Sequence, residues 1–432
     1  MTAITAEAAQ DLPRVRDRAD VVRQVKLVVV MAVVTALLVF FALTVDNSHV
    51  QFVLGERVTV DSPPKELPAH PVLWVSAAIA AVGTVLAAAN RIPRDWRGVV
   101  VYLVVGLAFY AGFIVWAYSD QSGSFQSSIA NPLPGTIRIA TPLVLGALAG
   151  CMCERAGVIN IAIEGQFLMG AFFASVAASL AFNAYMGLVG AILAGVGMAA
   201  LLAVFALRYL VNQVVLGVVL IALATGLTSF LLSQIPGDPA IKQYFNEPPR
   251  LDTLAIPGLS RIPVVGEALF NQTALVYLMY LSVAVVAFVL FQTKWGLRVR
   301  SVGEHPKAAD TVGIKVNRVR WQAVLFGGVF AGLGGAYYTV GSTGAFDREV
   351  SAGNGFIALA AVIMGRWHPL GATAAAVFFG FMWNLQSQLS FVDKIPSQLL
   401  GMTPYLATII AVAGFVGRVR PPAADGEPYV KS

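Results

Sequence analysis

Charged side chains are scarce in this sequence. Only 12% of its 432 residues are Asp, Glu, Lys or Arg, whereas soluble globular domains contain about 25%. Hydrophobic residues make up 57% of the chain, and the mean hydropathy is +0.74. These values exclude an ordinary soluble protein and favour a chain whose main solvent is the lipid bilayer.

Cysteine and histidine are also few, which excludes several kinds of chemistry. The two cysteines, Cys151 and Cys153, match neither a disulfide framework nor the spacing of a zinc or redox motif. The four histidines fall in or near predicted loops and form no ligand cluster: His49, His70, His305 and His368. We therefore expect no metal and no cofactor.

A nucleotide-binding loop is absent as well. A Walker A motif requires a Gly-Lys pair followed by Ser or Thr, and no lysine in this sequence follows a glycine. The sequence also contains no recognisable catalytic triad and no cofactor fingerprint. We therefore predict that the chain itself is not an enzyme.

Long apolar runs fill most of the chain between Leu27 and Val416. Several reach the roughly 20 residues that cross a hydrocarbon core of about 30 Å. The runs over residues 137–152 and 355–364 are shorter, which is typical of broken or re-entrant segments. The sequence thus predicts an all-α, polytopic integral membrane protein with about 10–12 transmembrane helices.

Basic residues are distributed unevenly among the loops. With a cytoplasmic N-terminus, most of the 29 Lys and Arg residues fall on the cytoplasmic side, as in other membrane proteins. Both termini are then cytoplasmic, and the formal net charge of +6 reflects loop bias, so no nucleic-acid partner is needed. We expect a multi-pass protein of the bacterial plasma membrane.

One acidic residue, Glu164, lies inside the otherwise uncharged stretch 157–180. A charge at membrane depth costs about 2.5–3.5 kcal/mol, so it usually marks a transport path or a partner. Asn160 is four residues earlier, which predicts that the two side chains share one helical face, with Gln166 on an adjacent strip. We expect these three residues to line a solute path, because carboxylate and amide groups suit hydroxyl-rich or amide-bearing solutes. The alternatives are an interhelical hydrogen bond, an ion pair of Glu164 with Arg155, or capping of a broken helix.

A second polar stripe carries Trp383, Asn384 and Gln388, with Gln386 beside them. Asn384 and Gln388 are four residues apart, and Trp383 is suited to stacking on a base or a sugar ring. We therefore include these residues in the predicted solute path. The alternative is that the amides form hydrogen bonds that hold helices together, at about 0.6–2 kcal/mol each.

Glycines are dense in the stretch 327–346, where Gly328 and Gly332 form a small-xxx-small pair, as do Ala331 and Gly335. Such faces let helix backbones approach closely in lipid. We interpret this stretch as a helix-packing scaffold or a subunit interface rather than as a binding site.

Two loops are long enough to have functions of their own. The predicted outside loop, residues 233–272, contains several Pro and Gly turn formers, and it either packs as a lid over an outer mouth or simply connects two distant spans.

The predicted inside loop, residues 293–320, is rich in Lys and Arg. Pro306 suits the first turn of a helix and Gly313 the position after its end, so a short helix is predicted over residues 307–312. Its outer surface is expected to present Ala308 and Ala309, which are small enough for another protein to dock. The alternative is a basic loop against lipid headgroups.

Three separated motifs carry a resemblance to a known family: CERAGVINIAIEGQFLMGAF, GLRVRSVGEHPKAADTVGIKV and GRWHPLGA. Together they resemble the integral-membrane permease subunits of bacterial ABC importers, in the branch for simple sugars, nucleosides and branched-chain amino acids. The resemblance covers roughly residues 134–416. It does not explain the stretch before about residue 120. We expect a cytoplasmic arm over residues 1–26, an added transmembrane extension over 27–120, a permease core over 121–418 and a cytoplasmic tail over 419–432.

The resemblance also implies partners and residue roles. It implies a separate ATP-binding cassette ATPase, a solute-binding lipoprotein and a second permease subunit, identical or different. Residues 303–314 resemble the coupling helix that docks on the ATPase, and residues 157–165 resemble a broken element that lines the path. The coupling residues are then Glu304, Pro306, Ala308, Ala309 and Gly313.

The function expected from these observations is inward movement of a nucleoside or simple sugar by alternating access, driven by the partner ATPase. The sequence leaves two alternatives open. One is a proton- or cation-coupled secondary transporter that uses Glu164, and the other is a passive channel.

Overall fold

The structure is a computed structural model, and it describes residues 18–46, 49–53, 55, 63–93, 95–119, 129–235, 238–390 and 420–431, with five further short stretches between 392 and 406. Its contacts divide the chain into two compact units. The N-terminal unit contains residues 1–130 and 391–395, and the core unit contains residues 131–390 and 396–432.

The N-terminal unit consists of three long helices and one small hairpin. The helices are α1 (Arg18–Thr44), α2 (Ala69–Ala88) and α3 (Trp96–Tyr118). Strands β1 (His49–Phe52) and β2 (Lys65–Pro68) pair in antiparallel fashion between α1 and α2. The hydroxyl groups of Thr35 and Thr84 lie 2.9 Å apart, so a polar contact joins α1 to α2 in an otherwise apolar interface.

The core unit begins with four apolar helices. These are α4 (Pro132–Glu154), α5 (Ile163–Ala181), α6 (Ala184–Ala203) and α7 (Gln213–Gln234). A π-helical turn, Val204–Arg208, continues α6. The segment after α7 contains α8 (Pro239–Lys242), β3 (Thr253–Ala255), α9 (Val265–Phe270) and β4 (Asn271–Thr273), with β3 and β4 paired in antiparallel fashion.

The rest of the core unit is again helical. It contains α10 (Ala274–Gln292), α11 (Lys294–Glu304), α12 (Pro306–Thr311), α13 (Val316–Ala336), α14 (Asn354–Met364) and α15 (Pro369–Leu389). A π-helical turn, Thr339–Thr343, follows α13. In the part of the chain that the structure describes, nine helices are long and apolar enough to span a membrane. The predicted all-α, polytopic fold is therefore confirmed.

Polar side chains explain where several helices begin. Asp95, Asn131, Asn183 and Asn212 stand immediately before α3, α4, α6 and α7, and each accepts a hydrogen bond from a backbone N–H of the first turn. Such caps satisfy donors that have no partner inside the helix.

The core lies around α4, α5 and α13. In these helices 83%, 78% and 72% of the spanning window is buried, against 22–33% in the other six spans. Glycines allow this close packing: a methyl group at Gly332 would lie 2.2 Å from the Ala191 carbonyl oxygen, and one at Gly335 would lie 2.4 Å from that of Phe167. The interpretation of this glycine-rich stretch as a packing scaffold is therefore confirmed, since its glycines pack α13 against α6 and α5.

Two expectations about short segments had different outcomes. The predicted short run at 355–364 corresponds to α14, which has 11 residues. The run at 137–152 is not short, because α4 has 23 residues. Thr136, Arg138 and Thr141 interrupt its apolar pattern, which concealed the first turns of a full span. The predicted last span, residues 403–416, lies almost wholly outside the described residues.

Candidate functional site

The chain breaks between α4 and α5. Residues 155–162 form turns and extended backbone, and Gly157 has a φ of +81°, which L side chains rarely adopt. A methyl group at Gly157 would also lie 2.8 Å from the Arg320 guanidinium. The prediction that Asn160 and Glu164 share a helical face is wrong, because α5 begins only at Ile163.

Glu164 is in the first turn of α5, and its side chain is 6% exposed. The Ser351 hydroxyl donates to its Oε1 at 2.5 Å, and the backbone N–H of Gly353 donates to the same oxygen at 2.9 Å. The N–H of Gly355 donates to Oε2 at 2.6 Å. Three donors therefore satisfy a buried carboxylate that has no cation among these partners.

These contacts make Glu164 a cap for α14. Gly353 is the N-cap residue of α14, with a φ of +82°, and its own side chain supplies no acceptor. The carboxylate lies at the N-terminal ends of both α5 and α14, where the helix dipoles favour negative charge. Of the alternatives for Glu164, capping of a helix is the one observed. Pairing with Arg155 is not, because Arg155 donates to the Trp367 and Arg366 carbonyl oxygens.

Gly355 allows this close approach of two helices. A methyl group there would lie 2.5 Å from both the Cα and the backbone nitrogen of Glu164. Any larger residue would force α14 away from α5, and the hydrogen bond from the Gly355 N–H would be lost with it.

Asn160 and Gln166 form a second, fully buried polar pair. The Asn160 Nδ2 donates to the Gln166 Oε1 at 3.1 Å and to the Cys153 Sγ at 3.6 Å. Among the described residues, Asn160 Oδ1 and Gln166 Nε2 have no hydrogen-bond partner. One acceptor and one donor therefore remain available beside the break, and such groups are costly to leave unpaired.

The second predicted stripe does not join this site. Asn384 donates from Nδ2 to the Pro132 carbonyl oxygen at 2.7 Å and lies 3.5 Å from the Thr136 hydroxyl. Asn160 contacts Cys153, near the other end of α4, so the two amides are about 25 Å apart along this helix. Asn384 ties α15 to α4, as the interhelical alternative proposed.

Trp383 and Gln388 lie on the same helix as Asn384. The Trp383 ring is half-buried and packs against the main hydrophobic cluster of the core unit. Gln388 is also half-buried. Both residues therefore lie in α15, in the part of this helix where Asn384 forms its hydrogen bond to α4.

Three residues of the site were missed by the sequence reasoning. Ser351 and Gly353 donate to Glu164, and the Gln213 Oε1 accepts a hydrogen bond from the Ile159 N–H at 2.7 Å, which holds the break to α7. The signal for the first two was the Ser-Ala-Gly-Asn-Gly sequence before a short apolar run. For Gln213 the sequence offered only a polar residue in the first turn of an apolar helix.

The predicted coupling helix is present as α12. Pro306 is its first residue, and Gly313 follows its end with a φ of +85°. Ala308 is exposed, but Ala309 is only 3% exposed and packs inside the core unit. The expectation that Ala309 faces outward is therefore wrong, because only one side of a six-residue helix points away from the protein.

The exposed side of α12 carries a residue that the sequence reasoning overlooked. Val312 is 74% exposed immediately after the end of the helix. Glu304, which precedes α12, is exposed, and its Oε2 accepts a hydrogen bond from the Ala423 N–H at 3.2 Å.

The predicted outside loop is anchored to the rest of the core unit through Asn246. Its Oδ1 accepts hydrogen bonds from the Ser175 hydroxyl and the Phe346 N–H, both at 2.7 Å, and its Nδ2 donates to the Phe346 carbonyl oxygen at 2.9 Å. The loop is thus fixed near the C-terminal end of α5. This anchoring is compatible with both a lid and a simple connection.

The apolar helices, the helix break and its buried polar groups define the class of a polytopic membrane transport protein. Residues 133–416 match the family described as branched-chain amino acid transport system, permease component. This match covers more than half of the chain, and the chain belongs to that family. It is a permease subunit of an ABC importer.

Curated relatives agree with this family. The chain is 40% identical over 310 residues to the guanosine ABC transporter permease protein NupQ of Bacillus subtilis, covering 69% of this chain and 96% of the relative. It is 40% identical over 305 residues to the nucleoside ABC transporter permease protein NupC of Lactococcus lactis, covering 68% and 94%. It is also 25% identical over 343 residues to the guanosine ABC transporter permease protein NupP of B. subtilis, covering 75% and 96%.

No solved structure matches the chain. The comparisons give no support to the proton- or cation-coupled alternative. The predicted family and the general function are therefore confirmed, whereas the individual site residues stay predictions.

Proposed function

We propose that this permease moves a nucleoside inward across the bacterial plasma membrane, with both termini on the cytoplasmic side. The proposal of a nucleoside as the cargo is supported by the similarity to NupQ and NupC. These relatives are named for guanosine and nucleoside transport, and they match over nearly their whole length. A simple sugar, the other cargo class expected from the sequence, is the competing outcome of the test below.

In this proposal a separate ATP-binding cassette ATPase supplies the energy. The absence of a Walker A motif supports this division of labour. The ATPase docks on the exposed side of α12, where Lys307, Ala308 and Val312 are accessible. Pro306 and Gly313 define the two ends of the docking helix, and buried Ala309 holds it against the core unit.

The solute path passes the break between α4 and α5. The free Asn160 Oδ1 and Gln166 Nε2 are an acceptor and a donor that suit the amide-like edges of a nucleobase. Both residues are fully buried, so the proposed path is closed at this point. Separation of α5 from α14, which Glu164 now joins, would expose them.

The remaining partners follow from the type of importer. A solute-binding lipoprotein delivers the cargo to the outer side, where the Asn246-anchored loop offers a fixed surface. A second permease subunit completes the path. Trp383 and Gln388 contact the solute at a different depth from Asn160, while Asn384 maintains the α4–α15 contact.

The test begins with purification from native membranes in mild detergent, followed by mass spectrometry of the chains that co-elute. The complex is then reconstituted in liposomes that contain ATP and an ATP-regenerating system on the side of the ATPase. Radiolabelled guanosine and glucose are offered in parallel with the lipoprotein. A non-hydrolysable ATP analogue serves as the matched control.

We expect an ATPase to co-elute and guanosine to accumulate only with hydrolysable ATP. Accumulation of glucose without guanosine would show that the cargo is a simple sugar and not a nucleoside. Accumulation driven by a proton gradient in liposomes that contain this chain alone would overturn the proposal, and so would downhill flux that needs no ATP.

A further inference from the structure

The segment 420–431, at the C-terminal side of the core unit, folds against the predicted coupling region. The N–H of Ala424 donates to the Gly303 carbonyl oxygen at 2.9 Å. The N–H of Ala423 donates to the Glu304 Oε2 at 3.2 Å. The Lys431 Nζ lies 3.9 Å from the Asp310 Oδ1. This segment therefore contacts the end of α11, the start of the α11–α12 link, and α12 itself.

The same segment also contacts the helix break and α13. The fully buried Arg320 of α13 donates from Nη1 to the Glu427 carbonyl oxygen at 2.8 Å. A methyl group at Gly157 would lie 2.9 Å from the Ala424 carbonyl oxygen, so the segment lies directly on the break. Tyr429 is 8% exposed and belongs to the main hydrophobic cluster.

The local sequence suits this fixed conformation. Gly426 has a φ of +78°, and a methyl group there would lie 2.6 Å from the Ile159 Cδ1. The backbone conformation therefore favours glycine, and a methyl group would in addition make the Ile159 side chain shift. Ala424 is only 3% exposed, so the segment packs through small residues and backbone hydrogen bonds.

We propose that residues 420–431 are a strap that positions the coupling helix α12 relative to the break between α4 and α5. The strap contacts both regions, and so does the end of α11, where a methyl group at Gly303 would lie 2.2 Å from the Arg155 carbonyl oxygen. A displacement of α12 by the ATPase is then passed to residues 157–160 through the strap as well as through α11 and α13. This inference rests on the proposed docking of an ATPase on α12.

The principal test is Gly426→Ala in the intact complex. Alanine at this φ costs enough to shift the balance between docked and undocked strap about tenfold, before the contact with Ile159 is counted. The matched control is Gly197→Ala in α6, where no heavy atom lies within 4 Å of the added methyl group. Hydrogen exchange of the Ala424 N–H, which donates to the Gly303 carbonyl oxygen, reports whether the strap is docked.

Three measurements are made on each variant: co-purification of the ATPase, stimulation of ATP hydrolysis by guanosine-loaded lipoprotein, and guanosine uptake. We expect Gly426→Ala to speed hydrogen exchange of the Ala424 N–H and to keep the ATPase bound. A strap that is docked about ten to one in the wild type would be docked about one to one in the variant, so stimulation and uptake should fall about twofold. Gly197→Ala should match the wild type in all three.

A second variant, deletion of residues 420–432, should abolish stimulation completely. If the deletion prevents membrane insertion, Gly426→Ala alone decides. Wild-type uptake in a variant whose strap is undocked would overturn the proposed role of the strap. Raised uptake would also overturn it, because it would show that the segment inhibits transport. Failure of the wild-type chain to bind any ATPase would instead overturn the proposed function, so the two failures are distinguishable.

Discussion

At the scale of single residues, Glu164 shows how this protein accommodates a charge among apolar helices. A buried carboxylate is costly without compensation, and here three hydrogen bonds and the N-terminal ends of two helices compensate it. No basic side chain is among these three hydrogen-bond partners, so dipoles balance the charge. The residue therefore joins α5 to α14 and is itself too well satisfied to need a solute.

Replacement of Glu164 by Gln tests this role. The Gln side chain retains one carbonyl oxygen, but its amide group would face an N–H donor and leave that donor unpaired. We expect a loss of about 1–3 kcal/mol in stability, seen as a lower melting temperature in detergent. Glu247→Gln, which changes an exposed carboxylate with a weak ion pair to Lys242, is the control and should be neutral. An unchanged melting temperature for Glu164→Gln would contradict the capping role.

At the scale of elements, the docking surface proposed on α12 is small. The internal position of Ala309 leaves Ala308 and Val312 as the apolar residues that a partner would contact. A substitution of Ala309 by a large residue would therefore disturb packing inside the permease as well as docking. Val312 is the cleaner position for an experiment, since its side chain is mostly in solvent.

Val312→Asp should remove ATPase co-purification and reduce uptake at least tenfold, while expression and membrane insertion stay normal. The physical reason is that a charge at the centre of an apolar contact must be desolvated on binding. Val265→Asp is the matched control, because Val265 is also exposed but lies in α9 of the other long loop. Retention of the ATPase by Val312→Asp would exclude this side of α12 as the docking surface.

The sequence predicted these elements well where a local rule determined them. The ends of α12 follow from Pro306 and Gly313, and α14 follows from its short apolar run. The contacts of the site depend instead on residues far apart in sequence. Nothing near Glu164 indicates that Ser351 and Gly355 will donate to it, because their approach depends on how α5 and α14 pack. The contacts of the strap, residues 420–431, also join residues far apart in sequence, so the sequence did not predict them.

The strap also has a titratable group, Asp425. Burial raises the pKa of Asp425 from 3.8 to about 7, although Arg320 opposes the shift. The charged and titratable groups near it are Arg320 from α13 and Glu154 and Cys153 from α4. A docked carboxyl with a raised pKa binds its proton more tightly than a free one. Docking therefore weakens as the pH rises from about 4 to about 7 and is constant above that range.

We accordingly expect the Ala424 N–H to exchange with deuterium more slowly at pH 6 than at pH 8, once the intrinsic pH dependence of exchange is corrected with an unstructured peptide. Asp425→Asn removes the carboxyl of the strap and should reduce this difference. Pro421→Ala, an exposed position in the same segment, is the control and should keep the wild-type difference. Equal corrected exchange of the wild type at both pH values would show that Asp425 does not titrate on docking.

At the scale of the whole molecule, the relatives suggest how the transport unit is composed. NupQ and NupP are both named as guanosine ABC transporter permease proteins of B. subtilis, and this chain is 40% identical to the first and 25% identical to the second. We propose that this chain likewise works with a different permease chain. The core helices α4, α5 and α13 are already largely buried in one copy. We therefore expect the second permease subunit to contact the more exposed helices.

The last prediction therefore concerns the composition of the complex. Native mass spectrometry of the complex from its own membranes should show one copy of this chain, one copy of a different permease of the same family and two ATPase subunits. Differently tagged copies of this chain, expressed together with the partner, should not capture each other. The measurement separates the two arrangements because a homodimer would give mutual capture and a mass with two copies of this chain. In that case the transport path would be symmetric, with an Asn160–Gln166 pair contributed from each side.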